Sequence, residues 1–215
     1  MAGLSADRVR ANAERIRGEI DAAARRAGRD PGDVELLAAV KYVQPDDLGA
    51  LVAAGLTLFG ENRAQQLEAK HALAPDARWH FIGQLQSRKV KTILPLVELI
   101  HSVASDSALA QLERHAPPGT EILVEVNVAG EEGKAGIAPR ELAAFIARAP
   151  VRVAGLMGMP PFADDPEQSR PHFAALRGLA EQHGLRHLSM GTSQDYTVAV
   201  EEGATIVRVG SVLFE

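Results

Sequence analysis

The sequence predicts an α/β protein built as a single (β/α)8 TIM-type barrel with an extra N-terminal helix, and three observations predict it. Short apolar runs alternate with amphipathic helical stretches along nearly the whole chain. No Gly-x-Gly-x-x-Gly follows the first strand, and polar motifs follow many strands instead of gathering at one switch point, which favours a closed barrel over its competitor, an open doubly wound sheet. At 215 residues the chain also has the length that one such barrel occupies.

The leading helix falls within residues 1–28. Ser5 is its expected N-cap, Asp7 lies in its first turn, and Leu4 and Val9 are spaced as a hydrophobic staple. Val9, Ala13, Ile16, Ile20 and Ala24 recur at helical spacing, and Gly28 ends the element. The barrel is expected over 35–215, within a single domain of 1–215. Its candidate strands are Glu35–Val40, Thr57–Phe59, Trp79–Ile82, Glu98–Ser102, Glu121–Asn127, Val151–Met157, His187–Ser189 and Thr205–Val209. Between them helices are predicted near Asp46–Ala54, Arg63–Leu73, Ser87–Leu94, Ser107–His115, Pro139–Ala149, Asp165–His183 and Asp195–Glu201. The proline-rich run Pro160–Pro166 reads as a rigid surface loop, not a domain boundary.

Composition narrows the function classes. With 46% hydrophobic and 24% charged residues and no long apolar stretch, the chain reads as soluble, with no membrane span. A net charge of -5 argues against an extended nucleic-acid surface but allows a local basic pocket for a small anion. Cysteine is absent, which excludes disulfide and thiolate chemistry, and residues Met1–Arg10 lack a secretory apolar core, so a cytoplasmic location is expected. The histidines show no metal-ligand spacing. His71, His101, His115, His172, His183 and His187 are expected on helices or the surface, and His80 is either core packing or part of a site.

A barrel collects its chemistry at the carboxyl ends of its strands. Reading those ends gives Lys41, Glu61-Asn62, Gly83, Ser102 and Asn127. Lys41 leaves the apolar run Leu36–Val40, where it is either a snorkelling cation or a partly desolvated amine able to attack a carbonyl. Ser189-Met190-Gly191-Thr192-Ser193 follows the seventh strand and Gly210-Ser211 the eighth, the two places where barrels hold phosphate; each segment alone could be a simple capped turn. Arg208 shares a strand face with Gly210, so it points inward if Gly210 approaches a ligand. It is then either an interior ion pair with Glu61 or Glu125, or a donor to a ligand's ring nitrogen or phosphate.

The strings Leu37-Ala38-Ala39-Val40-Lys41, Phe59-Gly60-Glu61-Asn62, Trp79-His80-Phe81-Ile82-Gly83 with Leu85-Gln86, Gly155-Leu156-Met157, Leu188-Ser189-Met190-Gly191 with Ser193 and Asp195, and Val207-Arg208-Val209-Gly210 together resemble the pyridoxal phosphate homeostasis protein family. The resemblance runs from about Leu36 to the carboxyl terminus. It implies a barrel of pyridoxal phosphate fold type III, similar to the amino-terminal domain of alanine racemase. It further implies pyridoxal 5'-phosphate held as a Schiff base on Lys41, phosphate contacts from the Ser193 and Gly210 segments, and Arg208 near the pyridine nitrogen. The cofactor-binding set expected from the matching strings and strand ends is Lys41, Asn62, His80, Ile82, Ser189, Met190, Ser193, Arg208, Gly210 and Ser211. The chain departs from the family pattern at Tyr42–Pro45, Arg88 and Thr192, which touches accessory roles but leaves the lysine intact.

An arginine at the pyridine nitrogen cannot readily supply a proton, and no second domain is expected to provide an acid or base for the opposite face. The expectation is therefore a monomeric carrier in cofactor homeostasis and delivery, not an enzyme with rapid turnover. Its partners would be pyridoxal phosphate, free amino acids and apo-enzymes that require the cofactor. The alternatives are a small amino-acid racemase, using Tyr42 or His80 as opposing base, and a lysine aldolase without cofactor.

Overall fold

The computed structural model describes residues 3–215. Helix α1 (Ala6–Arg26) starts at Ser5, whose hydroxyl accepts a hydrogen bond from Arg8 N at 3.5 Å, and buries Val9, Ala13, Ile16, Ile20 and Ala24 on one face. Eight strands follow: β1 (Glu35–Ala39), β2 (Leu58–Glu61), β3 (Arg78–Phe81), β4 (Leu99–Val103), β5 (Glu121–Glu125), β6 (Arg152–Met157), β7 (His187–Ser189) and β8 (Ile206–Val209). Each pairs in parallel with the next and β8 closes on β1, so the expected barrel forms. The connecting helices are α2 (Leu48–Ala53), α3 (Ala64–Leu73), α4 (Val90–Ile93), α5 (Asp106–His115), α6 (Leu142–Ala147), α7 (Arg170–Gln182) and α8 (Tyr196–Glu201), and α9 (Ser211–Phe214) ends the chain.

Local chemistry explains most departures from the predicted boundaries. β2 runs two residues beyond the predicted Phe59 because Gly60 continues the ladder where a side chain cannot: a Cβ there would lie 2.3 Å from Leu37 Cδ2. β5 stops at Glu125, and Val126 bridges to Ile137 instead. The helix predicted from Asp165 begins as a 3-10 turn at Pro166–Ser169, capped by the Asp165 carboxylate accepting from Glu167 N at 3.0 Å. Pro95 breaks the segment after α4 into another 3-10 turn, Leu94–Leu96. Helix α9 was not foreseen.

The barrel separates two apolar cores. Outward strand residues such as Phe59, Trp79, Ile100 and Val207 pack under the helices, together with the buried face of α1. Inward residues Leu37, Leu58, Leu99, Leu123, Ala154 and Ile206 fill the barrel. By the two-residue strand period, the same inward face carries His80, His101, Ser189 and Arg208, all buried. The middle of the barrel is thus apolar apart from this polar seam, while Glu35, Arg78, Glu121, Arg152 and His187 share the inward phase at the amino ends of their strands and Glu125 at the carboxyl end of β5. Among the described residues, no helix is long and apolar enough to cross a membrane.

Candidate functional site

The loops after β7 and β8 meet at the carboxyl end of the barrel. Ser193 Oγ accepts the Gly210 N-H at 3.0 Å, which ties the two segments together. Gly191 turns the first loop at φ +89, a conformation that favours glycine, and a Cβ there would lie 2.5 Å from the Ala199 methyl. Asp195 shapes the same loop from beneath. Its carboxylate accepts from Thr192 N at 2.7 Å and Thr192 Oγ1 at 3.1 Å on one oxygen and from Ser169 Oγ at 2.9 Å on the other. The backbone N-H groups of Ser193, Gln194, Ser211 and Val212 make no hydrogen bond among the described residues. Four such donors from two linked loops suit an anion with several acceptor oxygens. At Gly210 the backbone passes close to β1: a Cβ there would lie 3.3 Å from Ala39 O.

Arg208 points inward, as its phase with Gly210 predicted, and is buried beneath these loops. It forms neither of the ion pairs considered for it. Its Nη1 donates to Ser189 O at 2.7 Å and to Ser189 Oγ, and its Nη2 donates to Gly158 O at 3.1 Å. Nε makes no hydrogen bond among the described residues. Desolvation brings its pKa down to about 10, only partly offset by the more distant Glu125 and Asp195, so the guanidinium stays charged at neutral pH with no carboxylate against it. A buried cation with a spare N-H and no counter-charge is a site for an acceptor group of a ligand.

Lys41 lies beyond the last residue of β1, in the turn that follows it, and is exposed, as the snorkelling alternative has it. The chain leaves the barrel wall one residue early, after the Val40 N-H bonds Gly60 O at 2.9 Å. The Lys41 amine has no salt bridge or hydrogen bond among the described residues and sits 4.9 Å from the centroid of the Tyr42 ring, itself 79% exposed. The buried lysine of this region is Lys70 on α3. It pairs with the buried Glu61 and donates to Val40 O at 2.7 Å, next to Lys41. The other Glu61 oxygen accepts from Asn62 N at 2.7 Å and Arg63 N at 3.2 Å. Lys70 therefore clasps the exits of β1 and β2, from which Lys41 and Asn62 project. Asn62 Oδ1 is buried with no hydrogen-bond partner, an orphan that a ligand donor or a water would satisfy.

The remaining predicted residues divide. Ile82 packs at the edge of the interior core, and Ser211 is exposed beside Gly210. Met190 lies one residue out of phase with the inward Ser189 and its side chain is buried in the outer core, so it borders the site through its main chain. Of the strand-end ring, Ser102 Oγ is spent on Gly83 O, and the Asn127 amide closes its own loop on Glu131, donating at 2.8 Å and accepting at 3.2 Å. His101, expected on a helix or the surface, is instead fully buried on β4. Its Nε2 meets His80 Nδ1 at 3.0 Å and its Nδ1 meets Ser189 Oγ at 2.8 Å. Burial drives both histidines toward the neutral form, His80 to about 3 and His101 well below its usual value. The signal for His101 was its phase with Leu99, which puts it on the inward face.

The family described as alanine racemase, N-terminal domain, matches residues 6–215. The pyridoxal phosphate homeostasis protein of Aquifex aeolicus is 41% identical, covering 93% of this chain and 94% of that protein. Among solved structures, an unknown protein from Bifidobacterium adolescentis superposes with a TM-score of 0.89 at 32% identity, covering 97% of this chain and 95% of the other. PipY of Synechococcus elongatus PCC7942, solved with PLP bound, superposes with a TM-score of 0.74 at 32% identity, over 92% of this chain and all of that one.

Proposed function

The chain belongs to the pyridoxal phosphate homeostasis proteins of the alanine racemase N-terminal domain family, and on that premise we propose that it binds pyridoxal 5'-phosphate and holds it, ready for release, as a Schiff base on Lys41. The observation that carries this reading is the buried, charged Arg208, whose Nε is free, standing beneath four unbonded N-H groups. A phosphate fits the loop donors, a ring nitrogen fits Arg208 Nε, and the orphaned Asn62 Oδ1 fits a ring hydroxyl. Lys41, whose amine has no partner among the described residues, would hold the cofactor, and the cofactor's aldehyde would supply the carbonyl chemistry of a Schiff base, with loss of water.

The protein's own residues favour a carrier over a catalyst. Arg208 would offer a ring nitrogen an N-H donor without readily giving up the proton, so a bound ring would be a weak electron sink. A racemase would also need an opposing acid or base. His80 is committed to His101 and stays neutral, and Tyr42 lies exposed over Lys41. An incoming amine meets no such demand, since exchange needs only access to the imine carbon. Free amino acids would thus displace Lys41 and release the cofactor, with apo-enzymes as recipients. We place this exchange in the cytoplasm and assign it to a monomer.

The test is the absorption spectrum of the loaded protein, followed by borohydride reduction and peptide mapping. The expected result is an imine band and label on Lys41. Label on Lys70, Lys89, Lys91 or Lys134 overturns the assignment. Steady D-alanine production from L-alanine at about one per second, in the range of ordinary enzymes, and lost in Lys41→Ala, overturns the carrier reading.

A further inference from the structure

The seam of polar side chains inside the barrel is a hydrogen-bonded chain whose direction follows from the partners at its upper end. Arg208 Nη1 can only donate, so Ser189 Oγ accepts from it. The Ser189 hydroxyl has one proton left to place. Its remaining partner is His101 Nδ1, 2.8 Å away, so the assignment that leaves no buried proton unused has Ser189 donating and His101 Nδ1 accepting. A neutral His101 then carries its proton on Nε2 and donates to His80 Nδ1 at 3.0 Å. A neutral His80 in turn carries its proton on Nε2, which faces a Glu98 carboxylate oxygen 3.9 Å away, attractive in sign though too long for a direct hydrogen bond. Glu98 is itself anchored by Arg78 Nε at 2.8 Å. From Arg208 through Ser189 and His101 to His80, each donor of the chain points toward the opposite end of the barrel.

We propose that His101, supported by His80, is a positioning residue for Arg208: it draws the Ser189 hydroxyl proton away so that the Ser189 lone pairs hold the guanidinium in one orientation. With Nη1 on Ser189 and Nη2 on Gly158 O, the plane of the guanidinium is set and Nε is left as the spare donor. Neither histidine touches that mouth; they act through Ser189. Without the His101 acceptor, the Ser189 proton has no partner and competes for the space that Arg208 Nη1 occupies. The consequence for cofactor binding rests on the function proposed above, but the proton placement does not.

Two measurements separate the two. Nitrogen NMR of the imidazole rings, on protein without cofactor, should find Nδ1 unprotonated and Nε2 protonated in both His101 and His80. A protonated His101 Nδ1 overturns the proposal whatever the protein binds. In the loaded protein, His101→Leu should shift the cofactor absorption band and weaken pyridoxal phosphate binding roughly tenfold, about one hydrogen bond to a charged group. His101→Asn, whose side-chain oxygen replaces the Nδ1 acceptor, should restore both. Ser189→Ala should reproduce the leucine phenotype, and combining it with His101→Leu should add nothing further. A folded His101→Leu protein with unchanged band and affinity overturns the proposal, as does full additivity with Ser189→Ala. If His101→Leu does not fold, Ser189→Ala alone carries the test: an unchanged band and affinity there overturns it. Failure of borohydride to label Lys41 in the unaltered protein would count against the proposed function and leave the ring-proton result standing.

Discussion

Lys70 and Arg208 are both buried cations near the carboxyl ends of the strands, and they are satisfied by opposite means. Lys70 has a carboxylate, Glu61, and a carbonyl, Val40 O, within bonding distance. Arg208 has three neutral acceptor contacts and no carboxylate. A buried charge without a counter-charge is costly, and proteins keep such a group where a ligand or a reaction makes use of it. The difference separates a clasp from a socket: Lys70 closes the backbone from which Lys41 and Asn62 emerge, while Arg208 keeps charge and a donor in reserve.

The clasp is the place to break first, because removing one partner of a buried ion pair leaves the other uncompensated. Glu61→Ala should cost about 3–5 kcal/mol in urea unfolding. Lys70→Met should cost less, since the Glu61 carboxylate would still accept from Asn62 N and Arg63 N. The double replacement Glu61→Leu with Lys70→Met should recover part of the loss seen with Glu61→Ala alone. If Glu61→Ala fell within about 1 kcal/mol of the unaltered protein, a surface-pair value, the clasp would not be holding these exits.

Acid tests the seam under the socket. His80 and His101 are neutral in the folded protein, pushed there by burial, then for His80 by Arg78 and His187 and for His101 by His80, Arg208 and His187, with Glu98 facing His80 from the far side. In the unfolded chain each histidine takes a proton near its ordinary value of about 6.5. Their contribution is therefore fully present above pH ~6.5 and is lost as pH falls toward the folded value of about 3 for His80. Between these limits His80 should add a slope of about 1.4 kcal/mol per pH unit to the loss of stability, and His101, held well below its ordinary value, should add its own slope as pH falls below about 6.5. His101→Asn should remove one of the two slopes. Equal slopes in the two proteins would mean that His101 is protonated in the folded state.

How much of this could be read from the chain depends on whether a residue's role is local. Lys41, Ser193 and Gly210 stand at strand exits, where an apolar run gives way to small polar residues, and barrel geometry alone brings those exits together. Eight strands and their helices were legible for the same reason. Lys70 was not legible: its helix reads as ordinary, lysine is normally exposed, and its partner depends on how α3 lies over the exit of β2. His101 was misread for want of a phase argument: it lies two residues from the inward Leu99, and the strand period places it inside. The same period, counted from the inward Ser189, turns the Met190 side chain outward. The exposure of Lys41 turned on β1 ending before it, and element ends are the least certain part of a sequence reading.

The smallest expected effects sharpen the socket itself, by asking whether its anion is held by main chain or side chain. Gly210→Val places atoms where the backbone passes β1, with the new Cβ 3.3 Å from Ala39 O and 3.6 Å from Ala39 Cβ and two methyls still to be accommodated. It should disturb the Ser211 and Val212 donors together and weaken pyridoxal phosphate binding by well over tenfold, more than the loss of one hydrogen bond. Ser193→Ala removes a single contact, the hydroxyl that accepts from Gly210 N at 3.0 Å, and leaves all four unbonded N-H groups in the chain. Its cost should be about 0.5–1.5 kcal/mol, a few-fold in affinity, the net worth of an ordinary hydrogen bond. The control ligand is pyridoxal without its phosphate, measured by equilibrium titration of the imine band. Because it offers the loop donors one neutral hydroxyl in place of the phosphate oxygens, it should bind more weakly to the unaltered protein and be much less sensitive to Ser193→Ala. Were pyridoxal to bind as tightly as its phosphate ester, the loops after β7 and β8 would not be the anion site, and recognition would fall to Arg208, Asn62 and Lys41.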